Sequence, residues 1–242
     1  MTQDKDAEKT FFDSFAAEHL YDVFDDRGYS RIIREFLDLV KPARGESLLD
    51  LGCGTGAFTE RLTFTEVRIT GIDISFNNAA AAAVTSPRSA FVVGDAEQLP
   101  FPENTFDIVT FSGMLHHLPD LDTALAETAR VLKPGGKIFA YDPNGRNPAM
   151  WLYRDPRSPF HSREGRTVNE RLLRAEEVQA SLIRAGLTNA ISRGISGIGY
   201  TYVRSQFVKR LLPIYNFLDG CLDKTPLSRR FGAFLISYAE KR

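Results

Sequence analysis

Apolar residues along this chain fall into short blocks separated by polar, glycine-bearing turns. Runs at 47–51, 67–72, 90–93, 105–111 and 137–141 have the length of buried strands, and each ends in a turn. Between them the spacing changes to three and four, which predicts helices over Phe58–Leu62, Phe76–Val84 and Thr123–Leu132. Ser75 and Asp120 stand where the last two need N-caps. Ahead of the first strand, Ala7–Leu20 carries Phe11, Phe12, Phe15 and Ala16 near one face, a helix expected to cover a sheet. A second helix is expected over Ile32–Val40, capped by Ser30 and stopped by Pro42. Lys133-Pro-Gly-Gly136 predicts a turn before the fifth strand.

Beyond Asp142 the pattern loosens. Pro143–Glu170 is proline-rich and aromatic without clear periodicity, as expected of a lid. A helix from Arg174 to a stop at Gly186 follows, then strands at Thr188–Ser192 and Phe234–Tyr238. Strands alternating with helices predict an α/β fold, a doubly wound parallel sheet whose right-handed crossovers bring the functional loops to one edge. Between the last two strands, Phe207, Leu211 and Leu218 recur at helical spacing, and Pro213 is expected to split that helix.

The stretch with chemistry in it is Ser47-Leu-Leu-Asp-Leu-Gly-Cys-Gly-Thr-Gly56. Gly52, Gly54 and Gly56 sit between a strand and a helix, where glycine tolerates positive φ and lets a ligand approach the backbone. Gly52-x-Gly54-x-x-Ala57 formally fits a dinucleotide fingerprint. Asp73, 21 residues past Gly52, ends the next strand, where an acid can accept hydrogen bonds from ribose hydroxyls. With Ser75 free to cap the helix, Asp73 is expected to be available to a ligand. Asp50, one residue before the first strand ends, would repel a pyrophosphate but suits a ligand bearing ammonium and sulfonium charge.

Taken in order, Asp50-Leu-Gly-Cys-Gly-Thr-Gly56, Gly71-Ile-Asp-Ile-Ser75, Gly94-Asp-Ala-Glu-Gln-Leu-Pro-Phe101, Phe106-Asp-Ile-Val109 and Val131-Leu-Lys-Pro-Gly-Gly136 resemble the motifs of class I S-adenosylmethionine-dependent methyltransferases. The small-molecule branch with the ubiquinone- and menaquinone-biosynthesis-type enzymes is the nearest likeness, close over Glu46–Asp142 and loose elsewhere. The resemblance implies a seven-stranded sheet of order 3-2-1-4-5-7-6 with the last strand antiparallel, and S-adenosyl-L-methionine as cofactor. It places the glycine loop under the methionyl part, Asp73 on the ribose, and Asp95 with the Ala96 amide on the adenine. Ile74 and Leu99 would pack against the ring, and Ser112, heading the loop after the fourth strand, joins the cofactor candidates. The expected layout is one domain over 1–242: a helical cover (1–45), a cofactor-binding half (46–142), a lid with the sixth strand and a substrate-side insertion (143–230), and a final strand (231–242).

Methyl transfer from a sulfonium needs in-line positioning and, for a protonated acceptor, a base. His117, and after it His116, are the base candidates, because they follow the fourth strand on the ligand edge. Acceptor contacts are expected from Tyr21, Tyr29, His161, Tyr202 and Tyr215, in the N-terminal cover, the lid and the aromatic insertion at 198–223. That insertion could equally be plain core, a dimer contact or a membrane-facing helix. The expected acceptor is a small, apolar or aromatic molecule methylated on oxygen, nitrogen or carbon.

Composition narrows the field further. With 242 residues, 43% of them apolar, and a formal charge of −1, the chain has core enough for one domain and no basic footprint for nucleic acid. Four histidines and two cysteines give no metal constellation at ligand spacing, and Cys53 is expected to pack rather than react. No signal-peptide core or 18-residue apolar run is visible, so the expected setting is cytoplasmic, as monomer or homodimer. Two alternatives remain: an NAD-dependent oxidoreductase, which lacks a hydride-site tyrosine–lysine pair, and a non-catalytic adenosine-binding protein of the same fold.

Overall fold

The computed structural model describes residues 4–17, 24–161, 166–201 and 206–242. Tyr21 and Tyr202 lie outside them. Seven strands form one sheet in the order β3-β2-β1-β4-β5-β7-β6. These are β1 (Ser47–Leu51), β2 (Arg68–Asp73), β3 (Ala90–Val93), β4 (Phe106–Ser112), β5 (Leu132–Pro143), β6 (Leu187–Ile195) and β7 (Phe234–Lys241). The first five pair in parallel, and β7 runs antiparallel between β5 and β6, as the resemblance implied.

Helices α1 (Lys5–Ala17), α2 (Asp26–Val40), α3 (Ala57–Glu60), α4 (Phe76–Thr85), α5 (Leu121–Val131), α6 (Pro148–Arg154), α7 (Ala175–Arg184), α8 (Gln206–Asp223) and α9 (Ser228–Phe231) fill the connections. Two apolar clusters contain the core. One holds Leu49, Leu51, Val109, Phe111, Leu125 and Ile138; the other holds Ile32, Phe36, Leu48, Phe58, Ile108 and Phe139. Consecutive β1 residues Leu48 and Leu49 thus belong to opposite clusters, which the two-residue period of a strand dictates.

Several local expectations hold. Ser75 accepts from the Asn78 amide at 3.1 Å, Asp120 accepts from the Asp122 amide at 2.9 Å, and α7 stops before Gly186, whose φ is +80°. Others are corrected by packing. Helix α2 begins at Asp26, because Asp25, not Ser30, caps it by accepting from the Gly28 amide at 2.8 Å. Lys133-Pro-Gly-Gly136 belongs to β5 as a bulge, the register slipping between Phe106 and Ile108 of β4. The segment read as an irregular lid contains α6, capped by Asn147, with Pro148 in its first turn. Helix α8 runs through Pro213 unbroken. Pro213 and Lys209, whose carbonyl loses its amide donor, are both exposed, so water can satisfy that carbonyl.

At the edge of the sheet opposite the glycine loop, Asp107 accepts from the Ser47 amide (2.8 Å), the Ser47 hydroxyl (2.6 Å) and Lys133 Nζ (2.7 Å). Burial works against its charge, but these donors hold its carboxyl down at about 2. Asp107→Ala should therefore destabilise the fold by about 1–2 kcal/mol at pH 7. The folded value is depressed, so the contribution is complete above the ordinary value of 3.8 and disappears as pH falls toward about 2. Thermal melts of both proteins should differ at pH 7 and converge near pH 2.

Candidate active site

The order reverses between β1 and β4, and this is where an open α/β sheet holds its ligand. A cavity of about 880 Å³ opens here, with Gly52, Gly54, Asp73, Asp95, Ser112 and His117 on its wall.

The glycine turn is built for close approach. Gly52, Gly54 and Gly56 have φ of +65°, +53° and +83°. A Cβ on Gly52 would come within 2.7 Å of the Met114 Cβ, and one on Gly56 within 3.1 Å of the Ala82 backbone. The Gly52 and Cys53 amides both donate to the Ile72 carbonyl, at 2.9 and 3.2 Å, tying the turn to β2. Gly52 and Gly54 face the cavity, whereas Gly56 does not and instead starts α3. Burial of Cys53 beside Asp73 and Asp50 raises its thiol well above the ordinary value, which leaves no thiolate for chemistry.

Asp73 is on the wall but is not idle. Its Oδ2 accepts from the Gly54 amide at 2.9 Å, and its Oδ1 accepts from the Ser75 amide at 2.9 Å and Asn78 Nδ2 at 3.2 Å. The expectation that Ser75's capping leaves Asp73 free is corrected: both features hold at once, and Asp73 also organises the glycine loop. Asp50 is fully buried away from the cavity wall. Hydroxyls of Thr59, Thr110 and Ser112 bond its carboxylate, so its place is to tie β1 to β4 and orient Ser112, not to meet a ligand directly.

Ile74 and Ala96 line the cavity, while Leu99 lies in the core beneath. Asp95 takes Lys5 Nζ as an ion-pair partner and accepts from the Glu97 amide at 2.9 Å, the geometry of a turn aspartate.

After β4 a single 3₁₀ turn, Leu115–His117, presents the two histidines. His116 is buried, with Nδ1 2.8 Å from Asp142 Oδ1, and its backbone amide donates to the same oxygen at 3.1 Å. Burial lowers the imidazole well below its ordinary value and pushes the Asp142 carboxyl up to about 8, so the pair is uncharged around neutral pH. The His117 ring lies 4.2 Å from that of His116, with Nδ1 3.1 Å from Thr167 Oγ1 and 3.4 Å from Glu8 Oε2.

Glu170 completes a group of three with His116 and His117 whose ligand atoms lie within 4.8 Å of one another. Glu170 is 53 residues from His117, a proximity that sequence spacing could not reveal. Arg154 and Arg166 already pair with Glu170, and these two cations disfavour a metal ion there.

The remaining wall is apolar and aromatic. Tyr29 and Tyr215 line it, Tyr29 beneath the Arg61 guanidinium at 4.0 Å. His161 does not; its Nε2 lies 2.9 Å from Arg166 Nη1. Residues that sequence reasoning missed include Glu8 and Glu170 on the wall, and Phe11 and Phe12, read as sheet cover, also face the cavity. Tyr200, in the aromatic insertion expected to wall the acceptor, lines it too. Glu8 gives no sequence signal, sitting among the charged residues of an ordinary amphipathic helix. Helix α8 turns Leu212 and Asp219 inward and leaves Ile214 60% and Phe217 70% exposed. Among the described residues no helix is long and apolar enough to cross a membrane.

Comparison with known proteins agrees with this geometry. Residues 49–140 match the methyltransferase domain family. The 27-O-demethylrifamycin SV methyltransferase of Amycolatopsis mediterranei is 40% identical over 105 residues, 40% of this chain and 39% of that one. The demethylmenaquinone methyltransferase of Renibacterium salmoninarum is 36% identical over 131 residues, 52% of this chain and 54% of that one. A solved S-adenosylmethionine-dependent methyltransferase from Thermotoga maritima superposes with a TM-score of 0.67 at 18% identity, covering 96% of this chain and 99% of that one. Residues 49–140 therefore resemble the methyltransferase domain family, and the chain as a whole has the fold of the solved class I methyltransferases. Its matches span about half or less of the length of these curated relatives.

Proposed function

We propose that this protein transfers a methyl group from S-adenosylmethionine to a nucleophilic atom of an apolar, small-molecule acceptor. The observation that carries this reading is the single cavity that joins the glycine-loop edge to an aromatic wall, with the histidine pair on its surface. The residues fit the cofactor: positive-φ glycines leave the loop backbone open, and Asp73, Ile74, Asp95 and Ala96 follow on the adjoining strand ends. Gly52 and Gly54 would lie along the methionyl part, Asp73 at the ribose, and Ile74, Asp95 and Ala96 around the adenine.

Bound there, the cofactor supplies a methyl carbon already made electrophilic by its sulfonium. The protein's share is to align the acceptor, exclude water and take a proton. His117 takes the acceptor's proton as the acceptor's electron pair forms the new bond to carbon. Neutral His116, anchored to Asp142, holds the loop that carries His117. The aromatic wall favours acceptors with an apolar or aromatic face.

Calorimetric titration with S-adenosylmethionine, followed by transfer of labelled methyl groups into a cell extract, tests the reading. Binding and a labelled product in the organic phase are expected. Binding of NADH instead, or cofactor binding with no product from any extract, would remove it.

The wall makes its own prediction. Tyr200→Ala and Tyr215→Ala should each raise the acceptor KM about 10- to 100-fold, the range for losing a buried aromatic contact, and leave cofactor affinity within about 2-fold. Unchanged acceptor kinetics with a lower melting temperature would make these residues packing alone.

A further inference from the structure

Helix α1 lies across the cavity, and its position is fixed at both ends. Lys5 pairs with Asp95 and Glu97, and Asp13 accepts from the Ser75 hydroxyl and, at 3.3 Å, from the Asn77 amide. Phe12 meets the His117 ring edge-on at 5.2 Å. Against this apolar contact, Glu8 is out of place. It is 1% exposed, the most buried of the helix's described side chains. Asn169 Nδ2 donates to its Oε1 at 2.8 Å, but Oε2 has no hydrogen-bond partner among the described residues and lies 3.4 Å from His117 Nδ1.

A buried carboxylate oxygen without a donor is destabilising unless something it faces becomes a better donor. The group it faces is the imidazole assigned above as the base.

We propose that Glu8 is a positioning residue for His117, holding the imidazole proton on Nδ1 and receiving a charge-assisted hydrogen bond when Nε2 takes the acceptor's proton. This rests on the reading of His117 as base. The proton leaves the acceptor's O–H, N–H or acidic C–H bond for His117 Nε2; the electron pair of that bond would form the new bond to the methyl carbon as the carbon–sulfur bond breaks and its pair returns to sulfur, neutralising the sulfonium. Glu8 stays ionised throughout, and His117 returns its proton to water after product leaves. Burial opposes the Glu8 charge, but the polar groups of His117, Thr167 and Asn169 around it outweigh that and hold the carboxyl below its ordinary value. The 3.4 Å separation is of the kind that tightens when a ligand closes a site. The two partners are 109 residues apart and meet only while α1 is seated, so seating α1 on the Asp95 and Ser75 edge also completes the base.

Other charged or titratable groups face His117: Asp73, Asp142 and Glu170, with His116 on its own turn and Arg154 beside Glu170. They are common to all variants of Glu8. The test is therefore a comparison of the full-length protein with Glu8→Gln and Glu8→Asp, by NMR of labelled histidine, the His117 signal being assigned with His117→Gln.

Glu8→Gln should reduce the Nδ1–H tautomer of His117 about two-fold or more, and Glu8→Asp should fall between the two. With an acceptor in hand, Glu8→Gln should lower kcat about 10-fold or more, with S-adenosylmethionine affinity unchanged. An unaltered His117 tautomer in both variants would overturn the proposal without any acceptor being known. A changed tautomer with unchanged kcat would overturn His117 as base while leaving the pair itself standing. Should Glu8→Gln fail to fold, Glu8→Asp carries the same comparison.

Discussion

Asp73→Ala should weaken S-adenosylmethionine binding about 100-fold or more. A carboxylate offers about four acceptor positions, and three are taken by the Gly54 amide, the Ser75 amide and Asn78 Nδ2. One remains to accept a ribose hydroxyl, a charge-assisted bond worth roughly 1.5–3 kcal/mol, or about 10- to 100-fold in affinity. The substitution also frees the Gly54 amide, so the loop under the methionyl part loses one of its three ties to β2. The two losses compound. Asp73→Asn should do little better, because an amide nitrogen turned to either backbone donor faces N–H with N–H. Calorimetry on protein that still unfolds cooperatively reads this directly. Wild-type affinity in either variant would make Asp73 a loop residue only and would place the ribose elsewhere.

His117→Ala should lower turnover about 10²- to 10⁴-fold, the usual contribution of a positioned base, and leave cofactor affinity within about 2-fold. The split follows from position: His117 stands on the loop after β4, across β1 from the strand ends that carry Asp73 and Asp95. His116→Ala should behave differently. Its loss leaves Asp142 buried without its ring partner, a change that destabilises the fold by about 1–3 kcal/mol before it touches catalysis. Thermal melts beside single-turnover rates separate the two histidines. Full turnover by His117→Ala would mean that proximity alone carries the reaction and that the acceptor ionises without help.

Much of the architecture follows from signals contained within ten residues. The strand blocks, the caps at Ser75 and Asp120, the stop at Gly186 and the positive-φ glycine turn are all local. Each depends on backbone preferences that neighbouring side chains satisfy without the rest of the fold. The order of motifs carried the topology as well, because the resemblance supplied a strand order that five strands predicted to be parallel leave open.

Tertiary structure decided what those residues face. Asp50 and Leu99 turn inward because Thr59, Thr110 and Ser112 or the core claim them, and such claims come from residues up to 62 positions away. Asp25 takes the α2 cap from Ser30 because the chain enters that helix against Gly199, whose carbonyl receives the Asp25 amide at 2.8 Å. Pro213 fails to end α8 because the carbonyl it orphans is on a solvent-facing side, a fact set by how the helix docks. Most of all, the Glu8 contact to His117 and the approach of Glu170 to the histidine pair join segments with no periodicity or motif in common. Sequence determined the cofactor edge, where function needs particular backbone conformations. The catalytic surroundings and the acceptor wall were decided by long-range packing, because a buried charge is shaped by whatever the fold brings against it.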